Sequence, residues 1–502
     1  MRRRRLHRRQ PLRRPRRQPG EGENGAPARA EAQRLTSSPP GPSIPPNRAA
    51  EPAWKVLLAL LSLSLTALLW FEGLAGSLEQ PSVNGDLELH QLELAALVEG
   101  MVPDPLAGLL LGQDPRERLA QALERRIDQA DPPAPISERL ELALLRRGEA
   151  RGGGDEPIRS LVPMVEAQRR PLLEALLGGE RLAPELQSAV LRPWKAGRLL
   201  SQLSCEQLGG PERSCPAARE GPLLLARLLG VELLPGLLLV CGVGLLLREL
   251  WLLFRGRQPE PPPLQGPPLS LVDTTLLIAG GFVLVGEVLL PELLQRPLQS
   301  LLRQLTANPA WAQGLQVLLL YGALTLAPLL LLRRLLPAEG APPEGWLQWR
   351  WRPLLSALAA ALRMLLLVLP AVALSGWLID ALWRDPGGSN PMLDLVLTGS
   401  DRFALVCFAL TAIVLAPLFE ETLFRGVLLP VLGRWIGRGT AVLLSALLFA
   451  AAHLSLSELV PLFVLGCGLG LLRLRTGRLA ASVLMHALWN GLTFANLLLL
   501  AS

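Results

Sequence analysis

The chain has 502 residues, 50% of them hydrophobic, and a mean hydropathy of +0.33. An ordinary soluble protein is more polar than this, so the composition indicates an integral membrane protein. The formal net charge is +7, but residues 1–20 contain ten arginines and no acidic residue, which leaves −3 for the rest of the chain. The excess positive charge therefore belongs to the N-terminal tail.

Residues 1–53 are rich in Arg, Pro, Gly, Ala and Ser and have few large apolar side chains. Because such a segment cannot offset the entropy of ordering, it is predicted to be a disordered tail. We expect it to lie in the cytoplasm and to contact anionic lipid headgroups, unless it is an over-long start of the reading frame. A nucleic-acid-binding arm and a transit peptide are less favoured, since the tail lacks interleaved aromatic residues and contains little Ser.

Up to nine apolar stretches follow, and each is a candidate membrane-spanning helix, because about 18 helical residues cross the hydrocarbon layer. The first, residues 54–71, is interpreted as a transmembrane anchor. A signal peptide cut near Ser77 is the alternative, but more than fifty residues precede it. The sequence thus predicts an all-α, polytopic helical membrane protein with about eight to nine transmembrane helices. The other stretches are 228–254, 271–290, 315–332, 354–379, 403 onwards, 440–454, 459–472 and 480–500.

The polar segment after the anchor, residues 72–226, predicts a small helical soluble domain inserted after the first helix. Asp114 and Pro115 have the form of a helix N-cap followed by proline at the first helical position. Cys205 and Cys215 could form a disulfide if this segment is extracytoplasmic. The sequence alone leaves their pairing open.

Orientation is predicted from the basic residues of the short loops, because cytoplasmic loops are richer in Lys and Arg. With the N-terminus in the cytoplasm, the inner loops hold twelve arginines and the outer loops four. This places residues 72–226 outside the cytoplasm, and it leaves residues 227–390 as transmembrane helices of unassigned role. The inner arginines are Arg255, Arg257, Arg333, Arg334, Arg350, Arg352, Arg425, Arg434, Arg438, Arg473, Arg475 and Arg478, and the outer ones are Arg296, Arg303, Arg384 and Arg402.

Ionisable side chains at membrane depth cost at least ~2.5 kcal/mol each and are therefore candidates for function. Glu420, Glu421, His453 and His486 lie in apolar surroundings within the last hundred residues, and Asn490 follows on the last apolar stretch. Alone, each has a common structural explanation: a bundle ion pair, a hydrogen-bonded histidine or an amide that joins helices. Their order, spacing and similar depth together favour a single site.

Helix geometry divides these groups into pairs. Glu421 and Arg425 are four residues apart and can form an ion pair on one face, whereas Glu420 is turned by about 100° and has no obvious partner. An unpaired, desolvated carboxylate is suited to act as a general base on water. His486 and Asn490 are also four residues apart, so the amide could orient the imidazole or contact a substrate carbonyl.

Three motifs in successive apolar stretches carry a family resemblance. EETLFR (420–425) has the form EExxxR, FAAAH (449–453) the form FxxxH, and HALWN (486–490) the form HxxxN. The combination resembles the CPBP family of intramembrane proteases, which comprises the type 2 CAAX prenyl endopeptidases and a bacteriocin-immunity (Abi) group. The resemblance suggests a CPBP-type protease core in residues 391–502.

The resemblance implies an intramembrane endopeptidase that cuts a membrane protein or a lipidated peptide. Glu420 would activate water with the help of His453 and His486, Asn490 would bind the oxyanion or the substrate carbonyl, and the ion pair described above would be structural. The family is often described as metalloproteases, so a divalent metal such as zinc is compatible with the resemblance. One Glu and two His form an incomplete zinc ligand set, and the metal stays open.

Two other classes of function are considered. A non-catalytic membrane scaffold or immunity-type protein would keep the same motifs as a structural polar cluster. A transporter with a Glu and His proton relay is disfavoured, because the two halves of the chain show no inverted repeat. Arg363 also interrupts an apolar stretch, which indicates either a pairing with a carboxylate of the bundle, with Glu287 as the hypothesised partner, or a helix that lies at shallower depth.

Overall fold

The computed structural model describes residues 51–501 except 80–82, 113, 130–132, 150–154, 180, 196, 210–214, 258–259, 384–390, 398 and 400. Nearly all of the predicted tail, as well as Arg384, lies outside these residues. The described part of the chain is helical and contains no strand. The predicted all-α fold class is confirmed.

The described helices are numbered α1 to α18 in chain order. Those of the first half are α1 Ala53–Gly76, α2 Val83–Val98, α3 Asp104–Leu110, α4 Pro115–Gln129, α5 Ile136–Glu149, α6 Asp155–Leu161, α7 Arg170–Gly178, α8 Pro184–Leu191, α9 Arg198–Gln207 and α10 Pro216–Phe254. Those of the second half are α11 Leu271–Leu305, α12 Pro309–Leu335, α13 Leu354–Leu382, α14 Pro391–Leu397, α15 Arg402–Ile436, α16 Arg438–Ala451, α17 Leu456–Thr476 and α18 Leu479–Leu500.

Eight of the described helices are long and apolar enough to cross a membrane: α1, α10, α11, α12, α13, α15, α17 and α18. The stretch predicted as the seventh span forms α16, which has 14 residues. At 1.5 Å per residue it is about 21 Å long and falls short of the ~30 Å hydrocarbon layer. The chain is an integral, multi-pass membrane protein.

Helix α15 runs for 35 residues but is not a regular α-helix. It contains π-helical segments at Leu410–Leu415 and Thr422–Leu428. The hydroxyls of Thr411 and Thr422 donate to the carbonyls four residues earlier, at 2.9 and 2.6 Å, and so compete for groups of the backbone ladder. The EETLFR motif begins between the two π segments, where the helical register shifts.

Helix α10 joins the polar segment to the membrane helices. It has 39 residues and begins directly after a disulfide between Cys205 and Cys215, whose pairing the sequence left open. Further along α10, Arg227 donates to the backbone carbonyl of Leu499 at 2.7 Å and to that of Ala501. Helix α10 is therefore bonded to the C-terminal end of α18.

Two expectations about arginines need correction. Arg425 and Arg473 were counted in cytoplasmic loops, but both are fully buried inside helices. The predicted orientation then rests on the other loop arginines and stays a prediction. Arg363 forms an ion pair with Glu249 of α10, not with Glu287. The choice of partner depends on which helix lies beside α13, and that is not encoded in the local sequence.

Helices α12 and α15 approach each other closely at Gly314. A side-chain carbon at this position would lie 2.7 Å from the Cα of Ala404 and 3.3 Å from the Cβ of Cys407. Only glycine allows this separation, because a backbone atom cannot move aside as a flexible side chain can. Gly322 of the same helix faces open space instead.

We expect Gly314→Leu to destabilise the protein by about 1–3 kcal/mol, because the added side chain forces α12 away from α15. The measurement is thermal unfolding of the detergent-purified, full-length protein. Gly322→Leu is the matched control on the same helix and should leave the melting temperature almost unchanged. Equal effects of the two substitutions would contradict the close approach.

The polar segment contains a buried acid, Glu141 of α5. Burial and the nearby carboxylates of Glu93 and Glu138 raise the pKa of Glu141 from 4.5 to about 8. Between these two pH values the folded chain holds a proton that the unfolded chain releases. The stability of this region is therefore full below about pH 4.5 and falls as the pH rises towards 8.

Glu141→Gln should weaken this pH dependence, because the amide does not ionise, although burial also raises the pKa of the neighbouring Glu93. The measurement is amide hydrogen exchange in Ile136–Glu149 between pH 5 and 8, corrected for the intrinsic exchange rate. Protection should fall with pH in the parent and fall less in the variant, and exposed Glu156→Gln serves as the control that should behave as the parent does. A parent whose protection does not change over this range would refute the assignment.

Candidate functional site

The centre of the candidate site is an ion pair within α15. The Nη1 atom of Arg425 lies 2.8 Å from Oε1 of Glu421, and both side chains are completely buried. Arg425 also donates through Nη2 to the carbonyl of Gly466 on α17, at 3.0 Å. The ring of Phe449 lies 4.3 Å from the guanidinium carbon, which adds a cation–π contact. The predicted Glu421–Arg425 pair is thus present.

Gly466 makes room for the buried guanidinium. A side-chain carbon there would lie 3.2 Å from Nη2 of Arg425 and 3.0 Å from the Cβ of Ala446 on α16. Both distances are tighter than ordinary van der Waals contact. The bare backbone of α17 therefore serves as hydrogen-bond acceptor and as part of the cavity wall around Arg425.

His486 of α18 is oriented by Glu421. Its Nδ1 atom lies 3.0 Å from Oε1 of Glu421, and its side chain is 3% exposed. When Nδ1 donates its proton to this carboxylate, Nε2 is left as an acceptor. Nε2 faces Glu420 at 3.9 Å from Oε2. Glu421 therefore has a second contact besides the ion pair, which the sequence did not reveal.

Glu420 does have a partner, contrary to the prediction from helix geometry. The hydroxyl of Tyr321 on α12 donates to Oε1 of Glu420 at 3.0 Å. The other oxygen, Oε2, is buried and has no hydrogen-bond partner among the described residues. One oxygen of this carboxylate is thus held, while the other is directed towards His486.

Asn490 binds α15 and not the imidazole of His486. Its Nδ2 atom donates to the carbonyl of Ala412 at 2.7 Å. In the π segment the N–H of Ala416 bonds to the carbonyl of Thr411, five residues earlier, and the next such donor would be Pro417. Proline has no N–H, so the carbonyl of Ala412 lacks a backbone donor and Asn490 supplies one. The second N–H and the oxygen of the amide are not used by this bond.

His453 joins the cluster through Phe449. Its Nδ1 atom lies 2.8 Å from the carbonyl of Phe449 and donates to it, so Nε2 is the free acceptor of the ring. The ring of Phe449 makes edge contacts with His453 at 4.9 Å and with His486 at 5.6 Å between centroids. Phe449 thus brings the two histidines to one aromatic ring.

Two polar residues near the site were not predicted as part of it. Tyr321 was overlooked, although it is the only tyrosine of the chain and lies within an apolar stretch. Glu287 of α11 is close enough to Glu420 and Tyr321 for electrostatic interaction. The polar character of both at membrane depth was the signal that could have identified them.

The described residues do not fit a three-ligand metal site. Among them, no group of three or more His, Cys, Asp or Glu side chains converges as metal ligands. The Nδ1 atoms of His453 and His486 are both engaged in hydrogen bonds, which leaves their Nε2 atoms as acceptors, and Oε1 of Glu420 is held by Tyr321. The chemistry proposed below uses the side chains of the chain itself.

Comparison with known proteins agrees with the arrangement of the motifs. Residues 402–492 match the family described as Type II CAAX prenyl endopeptidase Rce1-like. The chain carries a CPBP-family domain. Its polar segment is separate from this CPBP domain, since residues 84–225 match a Domain of unknown function (DUF8675).

The chain is also similar to the "Uncharacterized 24.3 kDa protein" of Escherichia coli. It is 42% identical over 86 residues, which cover 15% of this chain and 38% of that protein. The chain thus spans well under half of this relative, whose printed name gives no activity. No solved structure matches the chain.

Arg425→Met should lower the stability of the protein by about 3–5 kcal/mol, because it leaves the carboxylate of Glu421 buried without its cation. The double variant Glu421→Leu, Arg425→Met should regain much of this loss, since no buried charge remains. Chemical unfolding in detergent measures both. The exposed Arg159–Asp155 pair gives the control, and Arg159→Met should cost less than about 1 kcal/mol. A single Arg425→Met variant as stable as the parent would show that the pair does not stabilise the bundle.

Proposed function

We propose that the protein is an intramembrane endopeptidase in which Glu420 activates water to hydrolyse a peptide bond of a membrane-associated protein. The observation that carries the proposal is the pair of acceptors formed by Oε2 of Glu420 and Nε2 of His486, 3.9 Å apart. One water can donate a hydrogen bond of about 2.8 Å to each of two acceptors at such a distance. Its oxygen lone pairs would then be directed away from both acceptors and towards a substrate.

The proposed reaction begins when this water attacks the scissile carbonyl and gives a proton to Glu420. The new C–O bond produces a tetrahedral oxyanion, whose charge the free N–H of Asn490 would offset, and His453 would help to activate the water through the acceptor atom Nε2. The C–N bond then breaks, and Glu420 returns the proton to the leaving amine. Glu421 keeps His486 oriented throughout, and the apolar helices strengthen each interaction by excluding bulk water.

An apolar groove beside the site suits a substrate chain. Its volume is about 420 Å³, and it lies between α12 and α15, next to the face that carries Phe419 and Thr422. Thr325 of α12 lines the same groove one turn beyond Tyr321. A membrane-protein segment or a lipidated peptide could therefore approach Glu420 laterally. The predicted cytoplasmic N-terminus, extracytoplasmic polar segment and lipid contacts of the tail are part of this proposal.

Glu420→Gln should abolish cleavage, because the amide keeps the shape of the side chain and cannot accept the proton. The measurement compares the membrane proteomes of parent and variant strains and searches for new peptide termini that are lost in the variant. Glu292→Gln on the exposed face of α11 is the matched control and should keep them all. If every terminus persists in a Glu420→Gln strain with normal protein levels, the proposal fails and the motif is a structural cluster of a non-catalytic scaffold or immunity-type protein.

A further inference from the structure

We propose that Tyr321 is a positioning residue for Glu420, contributed by a helix outside the CPBP domain. It would hold Oε1 of the carboxylate and thereby direct Oε2 at His486. This inference rests on the proposed function, in which Oε2 binds the attacking water. It assigns a role to α12, which lies among the transmembrane helices that the sequence left unassigned and outside the matched residues 402–492.

The position of Tyr321 is fixed by the close contact between the two helices. Tyr321 follows Gly314 by seven residues, which is two helical turns, so both lie on the same face of α12. Gly314 lies against Ala404 of α15, and Tyr321 therefore also faces α15. The close contact between α12 and α15 at Gly314 thus also holds Tyr321 against α15, where its hydroxyl binds Glu420.

The ring and the hydroxyl of Tyr321 have separate roles. The ring contacts Phe419 edge-on, with centroids 6.5 Å apart and planes at 90°, and phenylalanine would preserve this packing. The chain contains ten phenylalanines and one tyrosine, so where only an apolar phenyl ring is needed the chain has Phe. A phenol within a helix bundle needs a hydrogen-bond partner, and the structure gives it Glu420 at 3.0 Å.

The neighbouring charges explain why the carboxylate needs a fixed donor. Arg425 attracts Glu420, while Glu287 on α11 repels it. Neither of these groups, nor Nε2 of His486 at 3.9 Å, is within hydrogen-bond distance of Glu420 among the described contacts, so they do not select one orientation of the carboxylate. The hydroxyl of Tyr321 binds a single oxygen and therefore defines which oxygen faces His486.

The first test is spectroscopic and does not depend on activity. Full-length protein labelled with [4-¹³C]tyrosine should give one signal, because the chain has a single tyrosine. Glu420→Gln should shift this signal, since the phenol loses its charged acceptor. Ser375→Ala, which removes a buried hydroxyl bonded to its own helix at Val372, should leave the signal unchanged. A signal that does not respond to Glu420→Gln would overturn the inference.

The second test is kinetic and uses a quenched peptide that covers a terminus lost in Glu420→Gln membranes. Tyr321→Phe should lower kcat by about 10- to 100-fold, as expected when a reacting group is misplaced, with KM within twofold and an unchanged melting temperature. Ser375→Ala should keep full kcat. If Glu420→Gln is inactive while Tyr321→Phe has full kcat, the inference is wrong and the proposed function stands. If Glu420→Gln cleaves as the parent does, the proposed function fails and the inference fails with it.

Discussion

The buried ion pair between Glu421 and Arg425 is the interaction on which the rest of the site depends. A guanidinium without exposure to water persists only when its charge is compensated, and the compensation comes from Glu421 of α15, from the backbone of α17 and from the ring of Phe449. Only its Nε atom has no hydrogen-bond partner among the described residues. The same carboxylate oxygen that receives Arg425 also receives His486 of α18. This oxygen thus joins α15 to α18 and sets the orientation of the imidazole, while Arg425 joins α15 to α17.

Contacts within one helix could be predicted from the sequence, whereas contacts between helices could not. The spacing of Glu421 and Arg425 determines their pairing, because both lie on one face of the same helix. The apolar stretches and the three motifs likewise follow from length and order alone. The partner of Glu420 depends on which helix lies beside α15, and two π segments change the rotation of α15 from that of a regular helix. The acceptor of Asn490 could not be predicted either. It is the carbonyl of Ala412, which lacks a backbone donor only because α15 is π-helical there and Pro417 has no N–H.

Two of the helices of unassigned role are structurally part of the site. Helix α12 provides the hydroxyl that binds Glu420, and α11 provides the nearby carboxylate of Glu287. The matched residues 402–492 contain all three motifs but not these groups. A site assembled in this way requires that α11 and α12 keep their positions against α15, and the absence of a side chain at Gly314 is one condition for that. The boundaries of a family match therefore do not coincide with the boundaries of the polar cluster.

Helix α10 connects the polar segment of the chain to the apolar helices. The helix begins at a disulfide in the polar segment, and Arg227 bonds it to the last turn of α18. Helix α18 also carries His486, thirteen residues before the bonded carbonyl of Leu499. A displacement of the polar segment would therefore move α10 and would act, through Arg227, on the end of the helix that carries His486.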